Sequence, residues 1–382
     1  LDVEDLKGPE VYYPLKLFVC DRCFLVQIDE YKKAGEIFTK EYAYFSSYST
    51  SWLAHSKRYV DMMIDRFNFN SGSQVIEVAS NDGYLLQYFK ERGIPVLGIE
   101  PTSNTAQVAI EKGIDTRIVF FGERTAYELV KEELKADLLL GNNVLAHVPD
   151  INDFVKGLKI VLAPSGVITM EFPHLLQLIL QNQFDTIYHE HFSYLSFHTV
   201  EKIFKQNGLR LFDVEELPTH GGSLRIFACH NEDSSKQNTS NVDLLLRKEN
   251  VAGMDKLDFY MNFQERVQRV KLAFCQFLIE QKAADKKVVG YGAAAKGNTL
   301  LNFCGIRRDL IEFVVDASPY KQGKFLPGSH IPVVHENEIS RIKPDYVLIL
   351  PWNIREEIVN QLSYIREWNG QFVTAIPELS IF

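Results

Sequence analysis

The sequence predicts an α/β protein made of two successive units of alternating strands and helices, preceded by a small N-terminal module. Two observations carry this. From Gln74 onward, short apolar runs at Val75–Val78, Pro95–Ile99, Ala136–Leu140 and Gly166–Phe172 are separated by stretches of helical periodicity, the pattern of buried parallel strands wrapped by helices. The alternation restarts near Lys287, and in both units the first strand enters a turn of small residues and then a helix, a doubly wound plan. At 382 residues the chain exceeds what one core usually serves, so three parts are expected: residues 1–70, 71–235 and 250–382.

Residues 1–70 read as strands at Leu15–Val19 and Phe24–Ile28, an aromatic segment from Tyr42 to Tyr48, and an amphipathic helix from about Ser51 to Phe67. The aromatic rings suit core packing or the lip of a pocket. A helix Tyr84–Arg92 follows the first strand of the second part. After Phe172 come a helix around Leu175–Gln183, a polar cluster at Tyr188–Tyr194, a helix near Thr199–Asn207, and strands Leu209–Glu215 and Ser223–Cys229, which suit an antiparallel edge hairpin. The polar stretch His230–Asn250 reads as a linker. A long helix, Leu257–Lys282, precedes the strands Lys287–Tyr291, Ile311–Asp316 and Asp345–Leu350.

Hydrophobic residues at 46% and charged residues at 24% are ordinary for a soluble globular chain. A net charge of −9 excludes broad electrostatic attraction to nucleic acid. No apolar run spans a bilayer and no charged-then-apolar leader opens the sequence, so a cytoplasmic protein without membrane contact is expected. Five cysteines suit reduced thiols. Cys20-x-x-Cys23 puts two thiols in reach of one Zn²⁺, but a closed site needs four ligands and no second pair accompanies it.

Three segments carry chemistry. The turn Glu77-Val78-Ala79-Ser80-Asn81-Asp82-Gly83 leaves a strand and enters a helix, with small residues for close backbone approach and Asn81 tolerant of left-handed φ. Glu100, at the end of the next strand, can accept hydrogen bonds from ribose hydroxyls, and Asn142 and Asn143 stand at a later strand end. Tyr188-His189-Glu190-His191 places a phenol, a carboxylate and two imidazoles together, a set equipped for proton transfer. In the last part, Gly290-x-Gly292-x-x-Ala295 follows a strand and opens a helix, the arrangement that cradles a pyrophosphate, with Lys296 and Asn298 able to reach phosphate oxygens. Read alone, that turn equally suits NAD, with Asp316 as ribose ligand.

The acid-initiated turn looks like that of class I, seven-stranded S-adenosylmethionine methyltransferases. Taken together, the Glu77–Gly83 turn, Gly141-Asn142-Asn143-Val144-Leu145-Ala146-His147-Val148, Tyr188-His189-Glu190-His191-Phe192-Ser193-Tyr194, His220-Gly221-Gly222-Ser223-Leu224-Arg225, the Gly290–Gly297 turn and Cys20-x-x-Cys23 resemble the C-methyltransferases of nucleotide-linked 4-keto-deoxysugars over nearly the whole chain. The resemblance implies an N-terminal zinc module, a central cofactor domain and a C-terminal Rossmann-like domain that helps hold the nucleotide-sugar. It implies a cofactor set of Glu77, Ala79, Ser80, Asn81, Gly83, Glu100, Asn142 and Asn143. It also implies His191 as the base at sugar C3, Glu190 orienting it or binding a hydroxyl, Tyr188 donating toward the C4 oxygen, and Tyr42 entering from the aromatic segment. The substrate set is His220, Gly222, Tyr291, Gly292, Lys296 and Asn298; zinc would use Cys20 and Cys23, a site incomplete in this chain. His189 is expected to point away as a structural histidine. The rivals left open are an NAD-dependent oxidoreductase or epimerase and a non-catalytic scaffold.

Overall fold

The computed structural model describes residues 1–40 and 42–382. Near the N-terminus, β1 (Leu17–Val19) and β2 (Val26–Ile28) form an antiparallel hairpin around the cysteine turn. The strand β2 also pairs antiparallel with the two-residue strand β8 (Ser193–Tyr194), so the hairpin is completed by residues that directly follow the His191 cluster. The helix Thr50–Phe67 begins at Ser49, whose side chain accepts from the Trp52 N–H, and ends at Asn68 in the left-handed region, a cap and a stop in their favoured chemistry. Its buried stripe of Trp52, Tyr59, Val60 and Met63 packs one face of the central sheet together with Leu138, Leu140 and Phe227.

The central sheet contains β3 (Val75–Val78), β4 (Val96–Ile99), β5 (Thr116–Arg117), β6 (Ala136–Asn142), β7 (Leu162–Pro173), β9 (Leu209–Leu217) and β10 (Ser223–His230). Their order is β5-β4-β3-β6-β7-β10-β9, parallel except that β10 runs antiparallel to both neighbours. The expected antiparallel edge hairpin is present as β9 and β10 at the end of the sheet, with β10 beside β7 and β9 outermost. The burial of Ser223–Cys229 without alternation follows from that interior position. Strand order reverses between β3 and β6, and the crevice outside their C-terminal ends is where open α/β sheets bind ligands.

The expected linker is largely a helix, Ser240–Ala252, that packs on the central domain through Val242 and Leu245. Its Glu249 explains why so polar a stretch is ordered. Buried in protein, the carboxylate lies 2.7 Å from His174 Nε2 and accepts the N–H groups of Phe197 at 2.6 Å and His198 at 2.8 Å, satisfying the first turn of the helix Phe197–Gln206. Replacing Glu249 by Ala leaves a buried imidazole and two helix-start donors unpaired, so urea titration should show stability falling by about 3 kcal/mol. A change below about 1 kcal/mol would refute this role.

The final part is a second sheet of β11 (Val288–Tyr291), β12 (Val314–Val315), β13 (Val333–Val334), β14 (Tyr346–Ile349), β15 (Gln371–Thr374) and β16 (Ser380–Ile381). The order is β13-β12-β11-β14-β15-β16, parallel except for β16. The predicted long helix is two, Leu257–Met261 and Phe263–Ala283. The first residues of the chain lie on this part: the Leu1 ammonium donates to the Phe325 carbonyl at 2.8 Å, and Glu10 accepts from the Gly328 N–H at 2.7 Å.

Candidate active site

A cavity of about 410 Å³ opens at the C-terminal ends of β3, β4 and β6. Of the predicted cofactor residues, Ala79, Asn81, Glu100, Asn142 and Asn143 line it, and so does Tyr42. Ala79 and Asn81 both adopt left-handed φ, 57° and 50°, which folds the turn back over the strand end. Glu77, Ser80 and Gly83 stand behind the wall. Gly83 is needed for packing: at φ 74° an added Cβ would lie 2.4 Å from Ile114 Cδ1. Glu77 is fully buried, and among the described residues neither carboxyl oxygen has a hydrogen-bond partner. Burial pushes its carboxyl well up, with the Tyr84 hydroxyl partly opposing.

Glu100 accepts the Asn81 N–H through Oε2 at 2.8 Å and the Thr102 N–H through Oε1 at 2.8 Å. The Thr102 hydroxyl also donates to Oε1, so of a carboxylate's about four acceptor positions one, on Oε2, stays open toward the cavity. Burial raises its pKa and these donors hold it back. The Asn81 amide is turned outward. Its Oδ1 accepts the Ser46 N–H at 2.9 Å and its Nδ2 donates to the Tyr44 carbonyl at 3.1 Å, while Asp82 Oδ2 accepts from Ser47 and Asn104 donates to the Tyr42 carbonyl. The aromatic segment is thereby strapped over the turn. The cavity wall also includes Trp52, Tyr84, Phe120, Phe121 and His147, none of which a turn motif could name.

The Tyr188–His191 cluster adjoins this cavity through His147. The His191 ring lies 4.7 Å from that of His147 and 4.2 Å from that of Tyr188. His191 Nδ1 is 3.1 Å from the Thr186 carbonyl, which can only accept, so Nδ1 carries the proton and Nε2 presents a lone pair. Burial, then the neighbouring His147, hold His191 well below the usual imidazole range; burial brings His147 down to about 4. Burial raises the Glu190 carboxyl against the opposing Tyr42 hydroxyl, and it raises the phenols of Tyr42 and Tyr188, with Glu190 adding to both. His189 turns away: its Nε2 donates to the Pro14 carbonyl at 3.0 Å, and its ring sits edge-on to Tyr13 and Tyr31.

The His220 turn reaches the same region. His220 has φ 53°, and its Nε2 is 3.1 Å from Asn143 Nδ2. A buried polar network supports it. Glu171, a buried acid within the apolar strand β7, accepts from Thr219 Oγ1 at 2.9 Å and from Arg225 Nη2 at 2.8 Å, and lies 2.9 Å from His55 Nε2. Burial works against its charge, but His55 and Arg225 hold Glu171 below the usual carboxylate range. Gly222 packs against Gln177, where an added Cβ would lie 2.6 Å from Cγ.

The C-terminal turn docks beside the cluster. Thr299, on the helix Ala295–Cys304, donates to the Ile187 carbonyl at 3.2 Å. Lys296 bonds Asn353 and lies 4.8 Å from the Trp352 ring centroid, while Trp352 Nε1 donates to Asp185 Oδ2 at 2.7 Å. Burial lowers the Lys296 pKa against the pull of Asp185, and burial pushes Asp185 up to about 6. Tyr291 is buried, donates to Glu336 at 3.3 Å, and is pushed by burial up to about 12. Gly292, at φ 93°, is a steric requirement of Pro351. Asp316 accepts the Ala293 N–H at 2.8 Å. Asn298, with Oδ1 sealed and unpartnered among the described residues, lines a second cavity of about 790 Å³ that also meets Tyr188 and His189.

At the cysteine turn, the Cys20 N–H donates to the Leu25 carbonyl and the Phe24 N–H donates back to the Cys20 carbonyl. Backbone N–H groups of Cys23 and then Arg22 lower the Cys20 thiol, while burial raises Cys23. The turn is chemically fit to offer two thiolates, but among the described residues no group of three or more His, Cys, Asp or Glu could hold a metal. Among them, too, no helix is long and apolar enough to cross a membrane.

Residues 218–377 match a family model described as C-methyltransferase C-terminal domain, residues 52–214 a methyltransferase domain, and residues 1–38 a "Putative zinc binding domain". The chain is 35% identical over 375 residues to the C-methyltransferase NovU of Streptomyces niveus, covering 98% of this chain and 89% of NovU. A ubiquinone biosynthesis O-methyltransferase of Rhodopseudomonas palustris is 23% identical over 103 residues, 27% of this chain and 41% of that one. Among solved structures, a SAM-dependent methyltransferase from Anabaena variabilis is 16% identical over 47% of this chain and 86% of its own, with a TM-score of 0.39. The near full-length match to NovU accords with the seven-stranded sheet and the cavity at its switch point: the chain belongs to the family of S-adenosylmethionine-dependent C-methyltransferases that includes NovU.

Proposed function

We propose that the enzyme methylates C3 of a nucleotide-linked 4-keto-6-deoxyhexose through an enolate formed by His191. The observation that carries this reading is the His191 tautomer: Nδ1–H held by the Thr186 carbonyl, Nε2 free, and the ring against His147 on the cofactor cavity. Forming a carbon–carbon bond beside a ketone requires a base for a weakly acidic C–H, and an O-methyltransferase needs no enolate. S-adenosylmethionine, when bound, supplies an electrophilic methyl group. Glu100 holds the ribose, Ala79 and Asn81 shape the amino-acid end, and Asn142 and Asn143 lie toward the adenine. Glu77, Ser80 and Gly83 hold the turn from behind.

Toward the sugar, Tyr188 donates to the C4 oxygen, with Tyr42 and Glu190 binding a hydroxyl. His220 and Gly222 close the sugar side. The larger cavity gives room for the nucleotide, with Asn298 on its wall and Lys296 facing the diphosphate; Tyr291 and Gly292 shape that turn from within. Cys20 and Cys23 would supply two of four zinc ligands. The enzyme works without nucleic acid or membrane, in the cytoplasm.

The test uses protein loaded with S-adenosylhomocysteine, in D₂O, with dTDP- and UDP-linked 4-keto-6-deoxyglucose. Deuterium should enter C3 alone, by mass spectrometry and NMR; methyl transfer without C3 exchange in any substrate would sink the enolate. Because the folded pKa of His191 lies well below 6.5, the base is already neutral at pH 6.5. The exchange rate should therefore be flat from pH 6.5 to 8 and fall only in more acidic solution. An acid limb centred at 6.5 or above would contradict that assignment.

A further inference from the structure

Two imidazoles approach the loop after β6 from its two ends. His191 packs on His147, and His220 meets Asn143 at 3.1 Å. Asn143 and His147 both line the cofactor cavity, as does Trp52, whose ring lies 5.4 Å from that of His220. His191 has a proton to remove, whereas the charge that appears on O4 needs donors preorganised to meet it. A single phenol, Tyr188, answers that need from one side.

The tautomer of His220 is set by its partner. The Asn143 amide N–H donates to Nε2, so the one proton of a neutral imidazole sits on Nδ1. Among the described residues Nδ1 has no hydrogen-bond partner, and unlike Asn143 Oδ1 it is not sealed inside protein. Burial, then the charge of Lys296, bring His220 down to about 4, so it stays a neutral donor at neutral pH. Its position is over-determined. A left-handed φ of 53° costs a non-glycine residue roughly 1 kcal/mol or more. Three contacts hold it there: Thr219 on Glu171, the Trp352 ring against Gly221, and Asn143, whose own N–H donates to the Glu171 carbonyl at 2.7 Å. Such strain, maintained by built contacts, marks functional positions.

We propose that His220 is a second catalytic residue, a hydrogen-bond donor whose Nδ1–H meets the C4 oxygen of the substrate as His191 removes the C3 proton. The assignment rests on the enolate reading above. The C3–H bond breaks with its proton going to His191 Nε2 and its electron pair into C3–C4, while O4 takes up the negative charge against Nδ1–H. The C3–CH₃ bond then forms as the S–CH₃ bond breaks, sulfur keeping that pair and O4 returning to a carbonyl.

Asparagine places an amide N–H where histidine has Nδ1–H, and it tolerates the left-handed region; glutamine mimics Nε2 instead. C3 exchange and kcat would be measured for His220→Asn, His220→Gln and His220→Ala with the nucleotide-linked 4-keto sugar that the wild type exchanges, and S-adenosylhomocysteine affinity would be measured alongside. Gln and Ala should lose about 10²–10³-fold in both rates, Asn should recover to within about tenfold of wild type, and cofactor affinity should stay within about twofold throughout. Equal rates for Asn and Gln, or a wild-type rate in Gln, overturn the assignment while leaving the enolate intact. Absence of C3 exchange in the wild type overturns both.

Discussion

Replacing His191 by Asn should lower kcat and C3–H exchange by about 10²–10⁴-fold, the span usually lost with a general base. Asparagine is the informative choice because its amide can keep the bond that Nδ1 makes to the Thr186 carbonyl at 3.1 Å while deleting the free nitrogen. The surrounding rings of Tyr188, His147 and Tyr194 then retain their packing. Cofactor affinity should change little, since His191 does not line the cofactor cavity. A double loss, of exchange and of methyl transfer in equal proportion, places the residue at proton removal. Exchange retained within about tenfold would take His191 out of that step and leave Glu190 as the next carboxyl to test. Burial raises the Glu190 pKa, with the Tyr42 hydroxyl opposing.

Replacing Glu100 by Ala should weaken S-adenosylhomocysteine binding by about 10²-fold or more, read by calorimetry. Each hydrogen bond to a charged acceptor contributes roughly 1.5–3 kcal/mol, and in the proposed binding mode the ribose would depend on this carboxylate. The substitution also strands the Asn81 and Thr102 N–H groups at the mouth of the turn. The Gln variant separates the two effects. Its amide oxygen can still accept from one of those N–H groups, so the turn should survive by thermal denaturation while affinity still falls by at least about tenfold. Undiminished affinity in both variants would remove Glu100 from the cofactor site.

Periodicity and turn chemistry carried the sequence reading far. Ala79, Asn81, Glu100, Asn142 and Asn143 all reach one cavity because strand ends at a switch point must converge. Motif position could not say which way successive side chains face. Left-handed φ at Ala79 and Asn81 sends Glu77 and Ser80 behind the wall, and no residue type announces that at an alanine. The cavity's aromatic lining comes from segments far apart in sequence, as Trp52, Phe120 and His147 show. Glu171 did leave a signal: an acid inside the apolar run Gly166–Phe172 has to be paired to be buried. The expected linker failed because composition was read without partners, and Glu249 supplies three hydrogen bonds that turn a polar stretch into core. Where the division of the chain into parts is concerned, the first ten residues already touch the last part.

The short strand β8 has a consequence for the order in which this molecule is assembled. Val26 pairs with Tyr194 and Gln27 with Ser193, so the segment leaving His191 is anchored on a hairpin made some 165 residues earlier. Loops of that span close slowly and contribute late. During synthesis the hairpin emerges first and its partner strand only after β3 to β7 have formed their sheet, so folding intermediates should hold a formed crevice beside an unformed Tyr188–His191 cluster. In hydrogen exchange, amides of residues 186–194 should gain protection after those of β3 and β6. Competence to bind the cofactor would thus precede competence to use it.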